Sequence, residues 1–386
     1  MASGDHKESS DDFHAFFHHL TNTMHLTENI LKYLNAMELN RCSRVCAFWA
    51  KIVKKLKSKR KTRSWTCFSL SAGDEDFTSI TQGTQQFLQE QYTEPDVVFM
   101  ICESDLLLEK ITIPALTRSG RACRGTQSYQ DFVRSLLPQS CSLFGIESGG
   151  VVGTTTNCRQ SIEAENDSRG VSFLCLPKYD GVDIKISDDI SENDSDAKLQ
   201  QYINSLSEPG NPDFKVILNL IADFQTPRKY GFDLMKAVPG ALVAGAYVEG
   251  VFTRNCDSYP LIQLAAIGGD RVQIASAIIN ETIDDAAGAE ECIKKLKSHS
   301  LPEENSFAFM FACLGRGEGL YDEPNVESSI FRRYFPSTPL IGLFGNGEIG
   351  FELVNKGSYA QNDEKQKSSK TLYHSYTTVL VLVSIT

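Results

Sequence analysis

The 386-residue sequence is poor in histidine, in paired cysteines and in long apolar runs, and each shortage removes a class of function. Beyond the first 25 residues the only histidines are His299 and His374, which leaves few ways to build a nucleophile with a base oriented by a third group. No GxSxG elbow, Walker lysine, HExxH pair or paired carboxylates occurs, so intrinsic catalysis is not expected. The eleven cysteines are scattered, odd in number and form no CxxC, and no secretory leader precedes them, a pattern of reduced thiols in cytosol or nucleus. Cys42 and Cys46 lie one helical turn apart, but no histidine or third cysteine is close enough in sequence to complete a zinc set, and no metal is expected. The longest terminal apolar run, Val379 to Val383, is far too short to span a bilayer, so a soluble chain without a membrane partner is expected.

The stretch GNGEIG, Gly345 to Gly350, meets the GxGxxG glycine spacing but lacks the helix that must open behind it to hold a pyrophosphate. Phe351, Glu352, Leu353 and Val354 follow instead, and Asn346-Gly347 between two apolar runs is a strand-turn or hairpin signal. No cofactor is expected there.

What is present divides the chain. With 41 % hydrophobic residues it can bury sizeable cores, and its length suggests two or three domains. The net charge is -11, yet residues 20 to 65 carry eleven Lys or Arg against only Glu28 and Glu38. Residues 1 to 19 open with the polar MASGDHKESSDD, a composition expected to stay disordered. From Leu26 the apolar spacing turns helical: Leu26, Ile30, Leu31 and Leu34 form one stripe, and Leu39, Cys42, Val45, Cys46, Trp49 and Ile52 form a second at intervals of three and four. About forty residues make too little core to stand alone.

LTENILKYLNAMELNRCSRVCAFWAKI resembles an F-box, without that family's usual opening Leu-Pro near Asn22-Thr23 and with Asn35 in place of its usual proline. The resemblance implies that residues 20–63 dock on the S-phase-kinase-associated adaptor of a cullin-RING ubiquitin ligase. Leu26, Ile30, Leu31, Leu34, Leu39, Val45, Cys46 and Trp49 would form the adaptor-binding face. A plain helical hairpin packing on its own chain is the alternative. The run KIVKKLKSKRKTR, residues 51 to 63, holds eight basic residues. It reads as a solvated helix end favoured by the helix dipole or as a nuclear-localisation patch, and the acidic remainder argues against a nucleic-acid footprint.

From Ser64 the texture becomes continuous apolar runs of strand length, among them DVVFMIC, FKVILNLIAD and SFAFMFACLG, as expected for strands covered on both faces. Helical patterns intervene near 77–91, 126–137, 229–238, 283–297 and 325–335, giving an α+β multidomain chain with a layered α/β body and mixed sheets. FVRSLLPQSCSLFG, LMKAVPGALVAG and FRRYFPSTPLIG repeat a unit of amphipathic helix, proline, short turn, strand and glycine around Pro138, Pro239 and Pro336, the glycine expected to turn the chain at the strand end. The acidic segment 185–198 reads as a mobile insertion.

The C-terminal third, FAFMFACLGRGEGLYDEPNVESSIFRRYFPSTPLIGLFGNGEIG with HSYTTVLVLV, resembles the closing half of a FIST domain (F-box and intracellular signal transduction). The expected division is 64–240 for the N-terminal half and 241–386 for the C-terminal half. The two resemblances together imply a non-catalytic substrate receptor of an SCF-type ligase, cytoplasmic and nuclear, that presents regulatory proteins such as chromatin modifiers for ubiquitination and proteasomal degradation. Bacterial FIST relatives imply an alternative, a sensor of small amino-acid-like ligands. Within the body Cys313, Arg316, Gly345, Asn346, Gly347 and Glu348 are the candidate substrate or ligand contacts. Arg316 would lower the Cys313 thiol pKa if it approached, and Gly315, Gly317 and Gly319 could cradle an anion, with Glu318 opposing.

Overall fold

The structure is a computed structural model that describes residues 23–74, 76–116, 122–166, 168–188, 190–191, 195–254, 260–353 and 372–386. The expected disordered segment 1–19 lies outside the described residues, as do positions 189 and 192–194 of the acidic segment.

Three short helices come first: α1 (Met24–Leu31), α2 (Ala36–Cys42) and α3 (Ala47–Lys59). Asn35, where the F-box pattern has proline, starts α2 by another route: its Oδ1 accepts from Glu38 N at 2.8 Å while its own N–H donates to Glu38 Oε2 at 3.0 Å, a capping box.

The body is built from three copies of one pattern. The first copy uses β1 (Ser64–Leu70), α4 (Thr78–Gln89), β2 (Val97–Glu103), α5 (Ser104–Leu108), a hairpin of β3 (Lys110–Leu116) and β4 (Ala122–Ser128), α6 (Tyr129–Leu136), β5 (Ser142–Ser148), β6 (Gly150–Thr154), β7 (Ser161–Ala164) and β8 (Arg169–Leu176). The second uses β9 (Asp183–Ile186), α7 (Ser195–Leu206), β10 (Phe214–Ile221), α8 (Lys229–Ala237), β11 (Leu242–Tyr247), β12 (Gly250–Phe252) and β13 (Ile262–Gly268). The third uses β14 (Val272–Ile279), α9 (Ala286–Lys297), β15 (Phe307–Cys313), α10 (Glu318–Tyr321), α11 (Val326–Tyr334), β16 (Leu340–Gly345), β17 (Glu348–Ile349), β18 (Tyr373–His374) and β19 (Thr378–Ile385).

Each copy forms a sheet around a parallel pair, β2 with β5, β10 with β11 and β15 with β16. Each pair is joined by a crossover helix, α6, α8 or α11, that ends just before Pro138, Pro239 or Pro336. An antiparallel return strand lies beside the first member of each pair: β8, β13 and β19. The strand after each pair then leaves its own sheet. β6 joins β16, β12 joins β5 and β17 joins β11, which closes the three copies on one another in a ring.

The weak repeat in the sequence is therefore a real threefold architecture. Position 240 falls between α8 and β11, inside one strand–helix–strand unit, so the hydrogen bonding does not divide the body into 64–240 and 241–386. The repeat glycines are not the turn residues they were expected to be: Gly145 lies inside β5, where an added Cβ would overlap the ring of Phe252 on the invading β12. Close packing requires glycine there, not a bend. The GNGEIG stretch is no hairpin either, because β16 and β17 belong to different sheets and the turn carries the chain between them.

Inner faces of all three sheets share one core. Phe99 of the first sheet meets Phe144 at 5.3 Å and Phe309 of the third edge-on at 5.3 Å, and Leu218 and Leu242 of the second complete it. Outer faces are covered by helices, α4 to α6 on the first sheet, α7 and α8 on the second, α9 and α11 on the third. That two-sided cover explains the continuous apolar runs. The flanks of the acidic segment are also ordered: Ile184 and Ile186 of β9 pack on the core, and Leu199 and Ile203 of α7 are buried, so the expected insertion extends elements that already have apolar anchors.

Candidate functional site

The eight side chains expected on one docking face divide into two groups. Leu31 and Leu39 are buried with Ile52, Val53 and Leu56, and Leu34 and Trp49 pack against them. This is a correction with a simple cause: three short helices own few apolar side chains, and these hold them together. Leu26 and Ile30 remain 40 % and 44 % exposed one turn apart on α1, Val45 is 53 % exposed between α2 and α3, and Cys46 is exposed beside it. These four, with exposed Met24 and Tyr33, are the side chains another protein could touch.

The basic run forms the joint to the body. Arg60 is buried, donates from Nη1 to Tyr92 O at 2.7 Å and from Nη2 to Lys32 O at 2.9 Å, and stacks 3.8 Å above the Tyr92 ring. Lys57 pairs with Glu94, Lys61 donates to Lys178 O at 2.6 Å, and Arg63 donates to Glu304 O at 2.6 Å. Ala36 N donates to Gln91 O at 2.8 Å. Much of the run is thus neither a free localisation patch nor a solvated helix end. It is the strut that fixes the helices to the body, and its Arg60, Lys61 and Arg63 are satisfied by carbonyls that no sequence spacing could reveal.

In the body, Cys313 and Gly345 are register partners at the ends of the parallel pair β15/β16, and Leu314 N donates to Gly345 O at 2.9 Å. Glu348 is buried next to them, and its Oε2 accepts from Thr377 N at 3.0 Å and Thr377 Oγ1 at 2.9 Å. Burial pushes its carboxyl up to about 7 even though Thr377, the Cys313 thiol and the Gly347 N–H favour the charged form. Burial, with the Glu348 charge nearby, also pushes the Cys313 thiol up. The expected approach of Arg316 to this thiol does not occur. Arg316 donates from Nε to Glu327 at 2.8 Å and from Nη2 to Tyr321 Oη at 2.6 Å, a pair sealed from solvent. The glycine turn does hold an anion, one from the chain itself: Glu318 N donates to Glu165 Oε1 at 3.0 Å, and an added Cβ at Gly317 would overlap that carboxylate. Asn346 is exposed at the turn, where its N–H donates to Tyr247 O at 2.9 Å.

Among the described residues no group of three or more His, Cys, Asp or Glu could hold a metal ion, nine cysteines are free, Cys313 among them, and no helix is long and apolar enough to cross a membrane.

Residues 24–61 match the family model of the F-box domain, and residues 265–351 match that of the FIST C domain. The chain carries an F-box and a FIST C domain. It is similar along nearly its whole length to F-box only protein 22 of Homo sapiens, 26 % identical over 95 % of this chain and 94 % of the relative. A shorter similarity, 34 % identical over 24 % of this chain and 17 % of the relative, links it to the F-box/LRR-repeat protein At5g63520 of Arabidopsis thaliana. A solved cyanuric acid hydrolase from A. caulinodans overlaps 84 % of this chain and all of its own at a TM-score of 0.38 and 9 % identity, too distant to bear on function.

The F-box match spans all three helices and ends just past Arg60, so the joint to the body lies at its last residues. The FIST C match begins in β13 and ends past β17, and therefore holds Cys313, Arg316, Gly345, Asn346, Gly347 and Glu348. Five of these gather around the β15 and β16 ends, and Arg316 turns away. Missed by sequence reasoning were Thr377, which holds Glu348 from just before β19, and Glu163, which holds the start of α11 by accepting from Ser328 N at 2.8 Å. Neither carries a local signal, because both act across more than twenty residues of chain.

Proposed function

We propose that this chain is the substrate-recognition subunit of an SCF-type cullin-RING ubiquitin ligase. The observation that carries the reading is the F-box with Leu26, Ile30 and Val45 left exposed by their own fold, on a unit pinned through Arg60 to a much larger FIST-bearing body. The F-box binds the S-phase-kinase-associated adaptor, and through it the cullin scaffold. The body binds regulatory proteins, chromatin modifiers among them, and holds their lysines near a ubiquitin-charged enzyme. Transfer chemistry belongs to the partners, and this chain supplies proximity, for which a rigid joint is an advantage. Marked substrates pass to the proteasome, and the work is done in cytoplasm and nucleus. Mixing the purified chain with purified adaptor and cullin tests the reading: co-elution as a stable complex supports it, and failure to bind the adaptor removes it.

A second reading, a small-ligand sensor tethered to the ligase, is favoured by one observation. Glu348 is a buried carboxyl poised near neutrality beside Cys313 and the 345–347 turn. An amino-acid-like ligand at a hundred times its dissociation constant adds about 2.7 kcal/mol to stability, and a thermal-shift panel without any response removes the sensor.

A further inference from the structure

The three parallel pairs point their carboxyl ends at one place, and exposed apolar side chains of the body gather there. β5, β11 and β16 each end in a turn that passes to a neighbouring sheet, so the three turns meet around the threefold centre. A continuous set of contacts runs through them. Tyr376 packs on Gly315, where an added Cβ would sit 2.9 Å from its ring, and Leu314 packs on Gly149 at the same separation. Glu249 N donates to Glu147 O at 3.1 Å, Asn346 Nδ2 to Glu249 Oε1 at 3.4 Å, and Tyr247 N to Gly347 O at 2.9 Å. Phe224, three residues beyond β10, stacks on Tyr247 with centroids 5.6 Å apart.

The composition of this ring is unlike a solvated surface. Phe224 is 62 % exposed, Tyr376 64 %, and Leu314 is also exposed, each just past or beside the end of a first parallel strand. Three of the five exposed large apolar residues of the described body, Phe224, Leu314 and Tyr376, lie at this end. Between the apolar stations stand carboxylates. Glu147 is half-buried, and burial together with Glu249 and Glu103 raises its pKa. Glu103 is already engaged, accepting from the N–H groups of Asp105 and Leu106 at the start of α5, whereas Glu249 is exposed. Arg228 brings a cation to the rim, where it lies over Tyr373 and against Tyr247. Crowded carboxylates lower their free energy by gaining a cation, and exposed aromatic and aliphatic side chains by losing water. Open sheets of parallel strands offer their ligands this same end.

We infer that the axial face formed by Phe224, Leu314, Tyr376, Glu147 and Glu249 is where the body docks an extended protein segment that carries a lysine or arginine between apolar residues. The inference rests on the reading that the body captures protein partners and adds the surface and the chemistry of the segment. The stations are set apart on turns from different sheets, which suits a chain that lays successive side chains on them, and the occupant's positive charge complements Glu147 and Glu249.

The test uses the full-length chain and fluorescent nine-residue peptide pools: one with central Lys or Arg flanked by Leu, Phe and Val, one with central Glu and the same flanks. Saturable anisotropy is expected with the basic pool and none with the acidic pool. Phe224→Ser and Glu249→Lys should each weaken binding at least tenfold, and the Glu249→Lys loss should shrink at high salt. Both sites are exposed, and unchanged melting temperatures confirm that the variants are folded. Absence of saturable binding by the basic pool, equal binding by both pools, or undiminished binding in both variants overturns the inference. So does a wild-type dimer that Phe224→Ser dissociates, since a second copy would then own the face. Adaptor binding is measured on the same variants: its absence in the wild type defeats the ligase reading and leaves the peptide result standing, and its retention with lost peptide binding supports both.

Discussion

Arg60 stacks 3.8 Å above the ring of Tyr92 and donates to the Tyr92 carbonyl at 2.7 Å, so one side chain at the end of the third helix grips the loop between α4 and β2 twice. A second donation, to Lys32 O, ties the same guanidinium to the loop after α1. Arg60→Ala should cost about 2 kcal/mol, the scale of charge-assisted hydrogen bonds plus a cation–π contact. Arg60→Lys should recover little, because a point charge cannot reach both carbonyls and stack. Denaturant unfolding gives the cost, and hydrogen exchange should show the F-box helices exchanging faster while the sheets stay protected. Uniform protection in Arg60→Ala would mean that the other ties suffice.

The two groups of F-box side chains should separate cleanly. Leu39→Ala opens the helical core and should cost about 2 to 5 kcal/mol of stability in that unit. Leu26→Ala with Ile30→Ala removes exposed side chains and should change stability by no more than about 0.5 kcal/mol, yet weaken adaptor binding strongly. Calorimetric titration with purified adaptor, beside melting curves, distinguishes them. Full adaptor affinity in the double variant would move the docking face elsewhere.

Glu163 gives the body a pH dependence. Burial, with Glu327 close by, raises its carboxyl to about 8, although Ser328 donates to Oε1, and Oε2 is buried without a partner. A folded-state pKa raised above the unfolded value of 4.5 means that the native state prefers the protonated form. This stabilising contribution is complete below the unfolded value and is lost as pH rises through about 8. Stability should therefore fall between pH 5 and 9, and Glu163→Gln should flatten the fall while keeping the acceptor for Ser328. Chemical denaturation at the two pH values reads it. An unchanged slope in the glutamine variant would assign the dependence to other groups.

Gly145 tests the exchanged strand. Gly145→Ala puts a methyl into the ring of Phe252 and should destabilise by about 1 to 3 kcal/mol, the cost of overpacking. Phe252→Leu in the same chain should return part of it, since the smaller side chain vacates the space. Strict additivity in the double-mutant cycle would show that the two residues do not meet.

Much of this molecule is written locally. Apolar spacing marks the helices over 24–59, continuous β-branched and aromatic runs mark the central strands, and the three prolines mark the ends of the crossover helices. The strands β4 and β7 escape such reading because ACRGTQS and SIEA carry no apolar run, and what makes them strands is a partner. The basic run shows the limit from the other side: its charge suggests solvent or a distant address, whereas Arg60 and Arg63 are spent on carbonyls that only the folded chain brings within reach.

By itself the sequence determined the kinds of element, their order and the presence of three similar units, because periodicity, proline and chain connectivity act over a few residues. Only the tertiary structure decided that each unit lends a strand to its neighbour, that Leu31 and Leu39 face inward while Leu26 and Ile30 face out, and that Phe224, Leu314 and Tyr376 share one end of the body. The inward and outward leucines follow from which side chains three short helices bring together, and the outcomes in the body from which apolar surfaces meet across a hundred residues or more. No local pattern encodes that choice; it is made when three sheets compete to cover a single core.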